Sequence, residues 1–242
     1  MKHKISKLFT VLLFLIFMSS FLYSLYRIIL WRNNNKENYK INEVLHEYIK
    51  TDSNEKYKID FEKLKELNPD TVAYLKVDNT NIDYVVVKGK DNDYYLDHNF
   101  DKKYNKSGWI FMDYQNNLDE ADKNIVIYGH NTVDKSMFGS LHKTLSSDWY
   151  DKNKDSTIVL VTPDGMSKYK IFSTYKIDNE EYYITTSFST DNEYLNFLKK
   201  IKSRSYYKYD VDLNENDQIL TLSTCANNGK KRVVLHAKKL VE

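Results

Sequence analysis

The sequence predicts a mainly β domain preceded by helices, and three observations support this fold class. Nine short runs rich in β-forming residues follow residue 71, and turn residues such as Asn, Asp and Gly separate them. Tyrosine is abundant, with 21 residues, and proline is scarce, with 2, which suits strands with amphipathic surfaces. Strands this short and this closely spaced are typical of a barrel or a sandwich.

Apolar periodicity divides the chain into elements. Helical spacing covers residues 41–50, 60–67 and 191–203, and residues 136–145 form a further helical interruption. Continuous or alternating apolar runs predict the strands, at residues 72–77, 82–87, 109–112, 124–128, 157–161, 169–177, 182–186, 219–224 and 232–241. Two helices are therefore expected before the β domain, and one more shortly before its last two strands.

Residues 8–30 are almost wholly apolar. At about 1.5 Å per residue, a helix of this length spans the ~30 Å hydrocarbon core of a bilayer. The run is too long for a cleaved signal peptide, and no small-x-small cleavage site follows it, which favours an uncleaved anchor. The predicted division is a short tail at 1–7, a transmembrane anchor at 8–30, a polar linker at 31–40 and a globular domain at 41–242. Basic residues flank both ends of the anchor, so the positive-inside rule does not decide its orientation.

Composition argues against several classes of partner. The formal net charge is only +2, from 36 basic and 34 acidic side chains, which gives no electrostatic case for nucleic acid. The single cysteine excludes an intrachain disulfide and any metal site built from several cysteines. We therefore expect no metal ion, no other cofactor and no nucleic acid.

That cysteine, Cys225, ends a run of β-forming residues that starts at Ile219. The turn-forming residues 227–229 and a second β-like run from Arg232 follow it, which predicts a hairpin. Alternation places Thr221, Ser223 and Cys225 on one face, and the hairpin returns Arg232 to the thiol. A nearby cation favours the reactive thiolate, and an arginine offers donors to a developing oxyanion. The alternative is that Cys225 is a small core residue, which is a common fate of a lone cysteine.

A second candidate side chain follows the strand predicted at 124–128, which continues into Gly129 and His130. A histidine at a strand end is well placed for acid–base chemistry, because imidazole titrates near neutrality. We therefore predict that His130 is the partner of Cys225. The remaining histidines have less suitable surroundings in the sequence, namely His3, His46, His98, His142 and His236.

Taken together, these residues resemble the signature of a known family. The Thr-Leu-Ser-Thr-Cys run of residues 221–225, the following Arg232 and the upstream Gly129-His130 pair are similar to those of sortases, the membrane-anchored cysteine transpeptidases of Gram-positive bacteria. Segments 95–100 and 108–113, the amino-terminal helices and the helix before the cysteine strand resemble class B. The resemblance implies a closed β-barrel of about eight strands, lying outside the cell membrane.

The resemblance also implies a mechanism and partners. Cys225 would attack a threonine carbonyl in the sorting signal of a secreted protein, Arg232 would stabilise the oxyanion, and His130 would protonate the leaving amine. An amine of the peptidoglycan precursor would then resolve the thioacyl-enzyme. Ser223 and Thr224 are candidates for lining the substrate groove, although support of the hairpin explains Thr224 better. Some class B relatives carry an acidic residue soon after the cysteine, but residues 226–231 contain none, so no carboxylate is assigned to orient the histidine.

Two other functions remain open from the sequence. A membrane-anchored thiol protease that only hydrolyses would use the same Cys225 and His130. A non-catalytic surface-binding module would instead keep Cys225 buried and inert.

Overall fold

A closed eight-stranded β-barrel follows a long amino-terminal helix in the computed structural model of the protein. The structure describes residues 2–52, 57–118, 122–178, 180–225 and 231–240, with the backbone alone for residues 2–6 and 225. The turn predicted at 227–229 and the end of the strand predicted at 232–241 lie outside the described residues.

Helix α1 spans Lys2–His46, and its apolar side chains over residues 8–30 are exposed. It is long and apolar enough to cross a membrane, with a mean hydropathy of 2.2 in its most apolar window. The structure differs from the prediction after residue 30, because the segment expected to be a linker at 31–40 is helical. Hydrogen bonds from Asn35 and Asn38 to loops of the domain hold this segment as a continuation of α1.

Short elements connect α1 to the barrel. The helix predicted at 41–50 is the last part of α1, which ends at His46, and the chain then enters strand β1 (Ile49–Thr51). Strand β1 pairs with β2 (Tyr57–Ile59) in a hairpin too short to be predicted from periodicity. Helix α2 (Phe61–Leu67) confirms the helix predicted at 60–67.

Eight of the nine predicted strands form the barrel, which confirms the predicted fold class. In chain order they are β3 (Thr71–Val77), β4 (Asp83–Val87), β5 (Phe111–Met112), β6 (Asn124–His130), β7 (Thr157–Thr162), β8 (Gly165–Asp178), β9 (Ile219–Cys225) and β10 (Lys231–Lys239). The order around the barrel is β10-β8-β7-β3-β4-β5-β6-β9, closed by pairing of β9 with β10. The β4–β5 and β6–β9 pairs are parallel, and the others are antiparallel.

Helices fill the connections between the later strands. The helix predicted at 136–145 is a 3₁₀ helix over Gly139–Leu145, and helix α3 (Ser147–Asn153), which was not predicted, follows it. Helix α4 (Asp191–Ser203) confirms the helix predicted before the cysteine strand. The Thr190 hydroxyl caps α4 by accepting from the Glu193 N–H at 3.1 Å. Its apolar stripe is buried, at Tyr194, Phe197, Leu198 and Ile201.

The prediction of a strand at 182–186 is wrong. The structure has a 3₁₀ turn over Tyr182–Ile184 followed by extended chain outside the barrel. The Asn124 side chain binds this segment, because its Nδ2 donates to the carbonyls of Tyr183 at 3.2 Å and Thr185 at 2.9 Å. The aromatic and β-branched residues suit a strand, but the closed barrel leaves no edge to pair with.

A chain of buried hydrogen bonds continues from Asn124 into the barrel. The Thr221 hydroxyl donates to Asn124 Oδ1 at 2.6 Å, so it accepts from His236 Nδ1–H at 2.8 Å. Nε2 of His236 then accepts from the Tyr175 hydroxyl at 2.9 Å. Burial lowers the pKa of His236 to about 3, because the interior penalises the charged ring. Neutral His236 therefore belongs to the network that holds segment 182–186.

This network predicts an acid-sensitive stability. The pKa of His236 is 6.5 in an ordinary setting and about 3 in the fold, so the stabilising effect is complete above 6.5 and is lost as the pH falls towards 3. Over that window the unfolding free energy should fall by up to about 1.4 kcal/mol per pH unit from this residue. Chemical denaturation at several pH values from 7 to 4 gives the unfolding free energy, which should fall less steeply with decreasing pH in His236→Gln than in wild type. The same pH dependence of the unfolding free energy in both proteins would contradict this assignment.

Candidate active site

Three neighbouring strands bring the three predicted catalytic residues together. In the parallel β6–β9 ladder, the Cα of His130 is directly paired with that of Cys225. In the antiparallel β9–β10 ladder the last pair is Ser223 with Val234, and Cys225 and Arg232 each lie two residues beyond that pair on their own strands. Strand β9 lies between β6 and β10 in the barrel. Adjacent strands lie about 4.8 Å apart, and directly paired residues share a face of the sheet. The backbone therefore places the cysteine between the histidine and the arginine.

The His130 imidazole is held by a backbone carbonyl. Its Nε2 lies 2.6 Å from the carbonyl oxygen of Leu96. Because a carbonyl only accepts, Nε2 carries the proton in this contact, and Nδ1 is left to exchange a proton in the neutral ring. Among the described residues, this carbonyl orients the imidazole. The sequence had indicated no carboxylate for that role.

Two glycines allow close packing around this histidine. Gly108 has a φ of +56°, and a Cβ there would lie 2.4 Å from the Tyr95 carbonyl oxygen, 2.7 Å from that of Leu96 and 3.0 Å from His130 Cδ2. A Cβ on Gly129 would lie 2.5 Å from Ile110 Cδ1. Any larger residue at position 108 would therefore push against both the ring and the carbonyl that orients it.

A cavity of about 280 Å³ adjoins the cysteine strand. Arg232 and Thr224 line it from the hairpin, and the other lining residues are Asn92, Asp93, Leu96, Phe111, Tyr128, Glu180, Glu181, Tyr183 and Ile184. Glu180 forms an ion pair with Arg204 at 3.4 Å. The partly buried Arg232 thus borders a cavity of mixed apolar and polar lining, together with Thr224, the residue before the cysteine.

Ser223 and Thr224, the two candidates for lining the substrate groove, have different surroundings. Thr224 lines the cavity, and its Oγ1 also accepts from the Val233 N–H at 2.8 Å, which is the hairpin support expected for it. Ser223 is buried, and its Oγ lies 3.0 Å from the Tyr183 hydroxyl. It is not one of the residues lining the cavity. Ser223 therefore supports Tyr183, which does line the cavity, and direct contact of Ser223 with substrate stays a prediction.

A second cavity, of about 740 Å³, adjoins the first. The two share Glu181 and Ile184 in their linings, so these residues border both cavities, which are together named the groove. The sequence did not indicate most of this groove, because its walls come from turns far apart in the chain, around residues 92–96 and 180–187. Among the lining residues, Leu96, Phe111, Thr224 and Arg232 lie in segments that the family resemblance had marked.

Comparisons with known proteins agree with this geometry. A Sortase domain model matches residues 75–240. Sortase B of Listeria monocytogenes is 36% identical over 193 residues, which are 78% of this chain and 77% of that protein. The structure of sortase B from Clostridium perfringens is 41% identical, with a TM-score of 0.71 over 75% of this chain and 100% of that one. A Staphylococcus aureus sortase B–substrate complex is 36% identical, with a TM-score of 0.70 over 74% and 84% of the two chains.

The fold, the grouped residues and these matches define a cysteine transpeptidase, and the chain belongs to the sortase family. Within that family its relatives and structural neighbours are class B sortases, so it is a class B enzyme of cell-wall anchoring.

Gly108→Ala should perturb the site more than Gly165→Ala, although both glycines have positive φ. A Cβ at 165 meets nothing within 4 Å, so that variant has no steric overlap and reports only the strain of its own backbone conformation, about 1–3 kcal/mol. Gly108→Ala adds steric overlap, which should cost about a further 1–3 kcal/mol in unfolding free energy and displace the His130 ring. Unfolding free energies and peptide cleavage rates of both variants test this. Equal activity of the two variants would show that the overlap does not reach the histidine.

Proposed function

We propose that this sortase cleaves a carboxyl-terminal sorting signal at threonine and joins the released protein to an amine of the peptidoglycan precursor. The observation that carries the proposal is the β6–β9 register that pairs His130 with Cys225, with the strand of Arg232 on the other side of the cysteine strand. This alignment supports a nucleophile with a proton donor on one side and a cation on the other.

The first half-reaction forms a thioester. The Cys225 thiolate attacks the threonine carbonyl, and the Arg232 guanidinium donates hydrogen bonds to the resulting oxyanion. His130, protonated at this stage, gives its proton to the departing amine as the peptide C–N bond breaks. The threonine carbonyl is then bonded to sulfur, and the carboxyl-terminal fragment leaves as a free amine.

The second half-reaction transfers the acyl group. An acceptor amine attacks the thioester while neutral His130 removes its proton, a new amide bond forms, and the thiolate leaves. The energy of the original peptide bond is kept in the thioester, so no cofactor is needed. Water competes with the amine, and a groove that holds the acceptor close to the thioester favours transfer over hydrolysis.

The groove supports recognition of an extended peptide. The cavity next to Arg232 provides apolar surface from Leu96, Phe111 and Tyr128, and amide and carboxylate groups for hydrogen bonds from Asn92 and Glu181. The second cavity, of about 740 Å³, shares Glu181 and Ile184 with this lining and has no residue of the cysteine strand in its own. We assign the first cavity to the sorting signal.

Three substitutions test the catalytic assignments with sorting-signal peptides, with and without an amine acceptor. Cys225→Ala should give no product, and His130→Ala should lose about 10²–10⁴-fold while Cys225 still reacts with iodoacetamide at high pH. Arg232→Lys should lose about 10²–10³-fold, because lysine lacks the planar fork. Arg32→Lys, at an exposed position of α1 outside both cavity linings, is the matched control and should stay within about twofold. Hydrolysis without any transfer product would indicate a thiol protease, and an unreactive Cys225 would indicate a binding module.

The same proposal places the domain outside the membrane, anchored by a single crossing of α1 with the amino terminus in the cytoplasm. The helix is compatible with such an anchor in length and hydropathy. Full-length protein should stay in the membrane fraction after a high-salt wash. In intact cells, an added protease should digest the domain. Protection of the domain would indicate the opposite orientation, with the domain in the cytoplasm.

A further inference from the structure

Side-chain amides line one face of the carboxyl-terminal part of α1. Asn35 and Asn38 are only 9% and 3% exposed, whereas Asn33, in the same run, is exposed. An amide removed from water costs free energy unless its donor and acceptor both find partners. The partners of these two amides lie in the loops on either side of His130.

Asn38 binds the loop that carries Gly108. Its Nδ2 donates to the Gly108 carbonyl at 2.9 Å, and its Oδ1 accepts from Asn105 Nδ2 at 3.0 Å. Asn105 is fully buried, and its Oδ1 accepts from the Ser107 N–H at 3.0 Å. Both polar atoms of the Asn38 side chain therefore bind the loop whose glycine packs against the His130 ring.

Asn35 connects this loop to the one that follows the histidine strand. The Ser107 hydroxyl donates to Asn35 Oδ1, and Asn35 Nδ2 donates to Asp134 Oδ2 at 2.5 Å. Asp134 lies four residues after His130, and its other oxygen accepts from the Ser136 hydroxyl at 2.7 Å. One helix thus binds both the loop that packs against the imidazole and the loop that follows the histidine strand.

We propose that Asn35 and Asn38, here named the asparagine clamp, are positioning residues for His130, an inference that rests on the proposed function. The clamp acts through Gly108, which lies against both the His130 ring and the Leu96 carbonyl that orients it. Neither asparagine lines the substrate cavity. The orientation of the general acid therefore depends on a helix outside the barrel.

A clamp that only packed α1 against the domain would behave differently. Its loss would lower the unfolding free energy but leave kcat and the pH profile of the folded enzyme unchanged. A positioning clamp acts on the proton transfer, and displacements near 1 Å in a catalytic site can cost about 10²-fold in rate. Its loss should lower kcat, leave KM nearly unchanged and alter the influence of His130 on the thiol.

The test uses full-length protein in detergent micelles. Asn38→Ala should lower kcat about tenfold or more, with KM within about twofold, while Asn35→Ala and the milder Ser107→Ala should give smaller losses in the same direction. Asn33→Ala is the matched control, since it removes an exposed amide from the same helix, and it should behave as wild type. In a second readout, the pH profile of Cys225 alkylation by iodoacetamide in Asn38→Ala should move towards that of His130→Ala.

Several outcomes would overturn the clamp. If Asn38→Ala folds and keeps the wild-type kcat and alkylation profile, the asparagine clamp only packs α1 against the domain. An alkylation profile that is the same in wild type and His130→Ala would remove the histidine through which the clamp acts. If Asn38→Ala fails to fold, Asn35→Ala and Ser107→Ala decide by the same criteria. If wild type neither cleaves nor transfers any sorting-signal peptide, the proposed function fails, and the alkylation profiles alone decide the clamp.

Discussion

The parallel pairing of β6 with β9 is the constraint on which the rest of the structure depends. Seven residue pairs run from Asn124 with Ile219 to His130 with Cys225. A slip of one residue would turn every side chain of one strand to the opposite face, so the register that completes the barrel also aligns the histidine with the cysteine. Barrel stability and catalytic geometry therefore depend on one ladder.

Parallel pairing also explains where the substrate groove comes from. Two parallel neighbours require a long crossover, and the chain between β6 and β9 contains β7, β8, α3 and α4. The segment over Tyr182–Ile184 lies in this crossover, between β8 and α4. Asn124, at the start of the same ladder, holds that segment by its carbonyls. The ladder thus positions one wall of the groove as well as the reacting groups.

Buried side-chain amides stabilise the site from two directions. Asn124 acts from within the barrel, and Asn38 and Asn105 act from the junction between α1 and the loop before β5. A buried amide that loses its partners costs about 1–3 kcal/mol, so each of these groups strongly favours one arrangement of its loop. Since α1 rises about 1.5 Å per residue, Asn38 lies about 12 Å beyond Leu30. Under the proposed anchoring, this helical connection would keep the site close to the bilayer surface.

The sequence by itself determined the local elements and the chemistry of the site. Alternation and turn residues were enough for eight barrel strands, and helical spacing was enough for α2 and α4, because these patterns report burial on one face. The run ending in Cys225, the Gly129-His130 pair and Arg232 were recognisable as candidate site residues because together they resemble the sortase signature. Tertiary structure decided what depends on distant partners. The segment at 182–186 has strand-like residues but binds Asn124, and the polar run at 31–40 resembles a linker but buries its amides against loops around residues 105 and 134. A buried asparagine and a solvated one are identical in sequence, and only the fold supplies the partners that distinguish them.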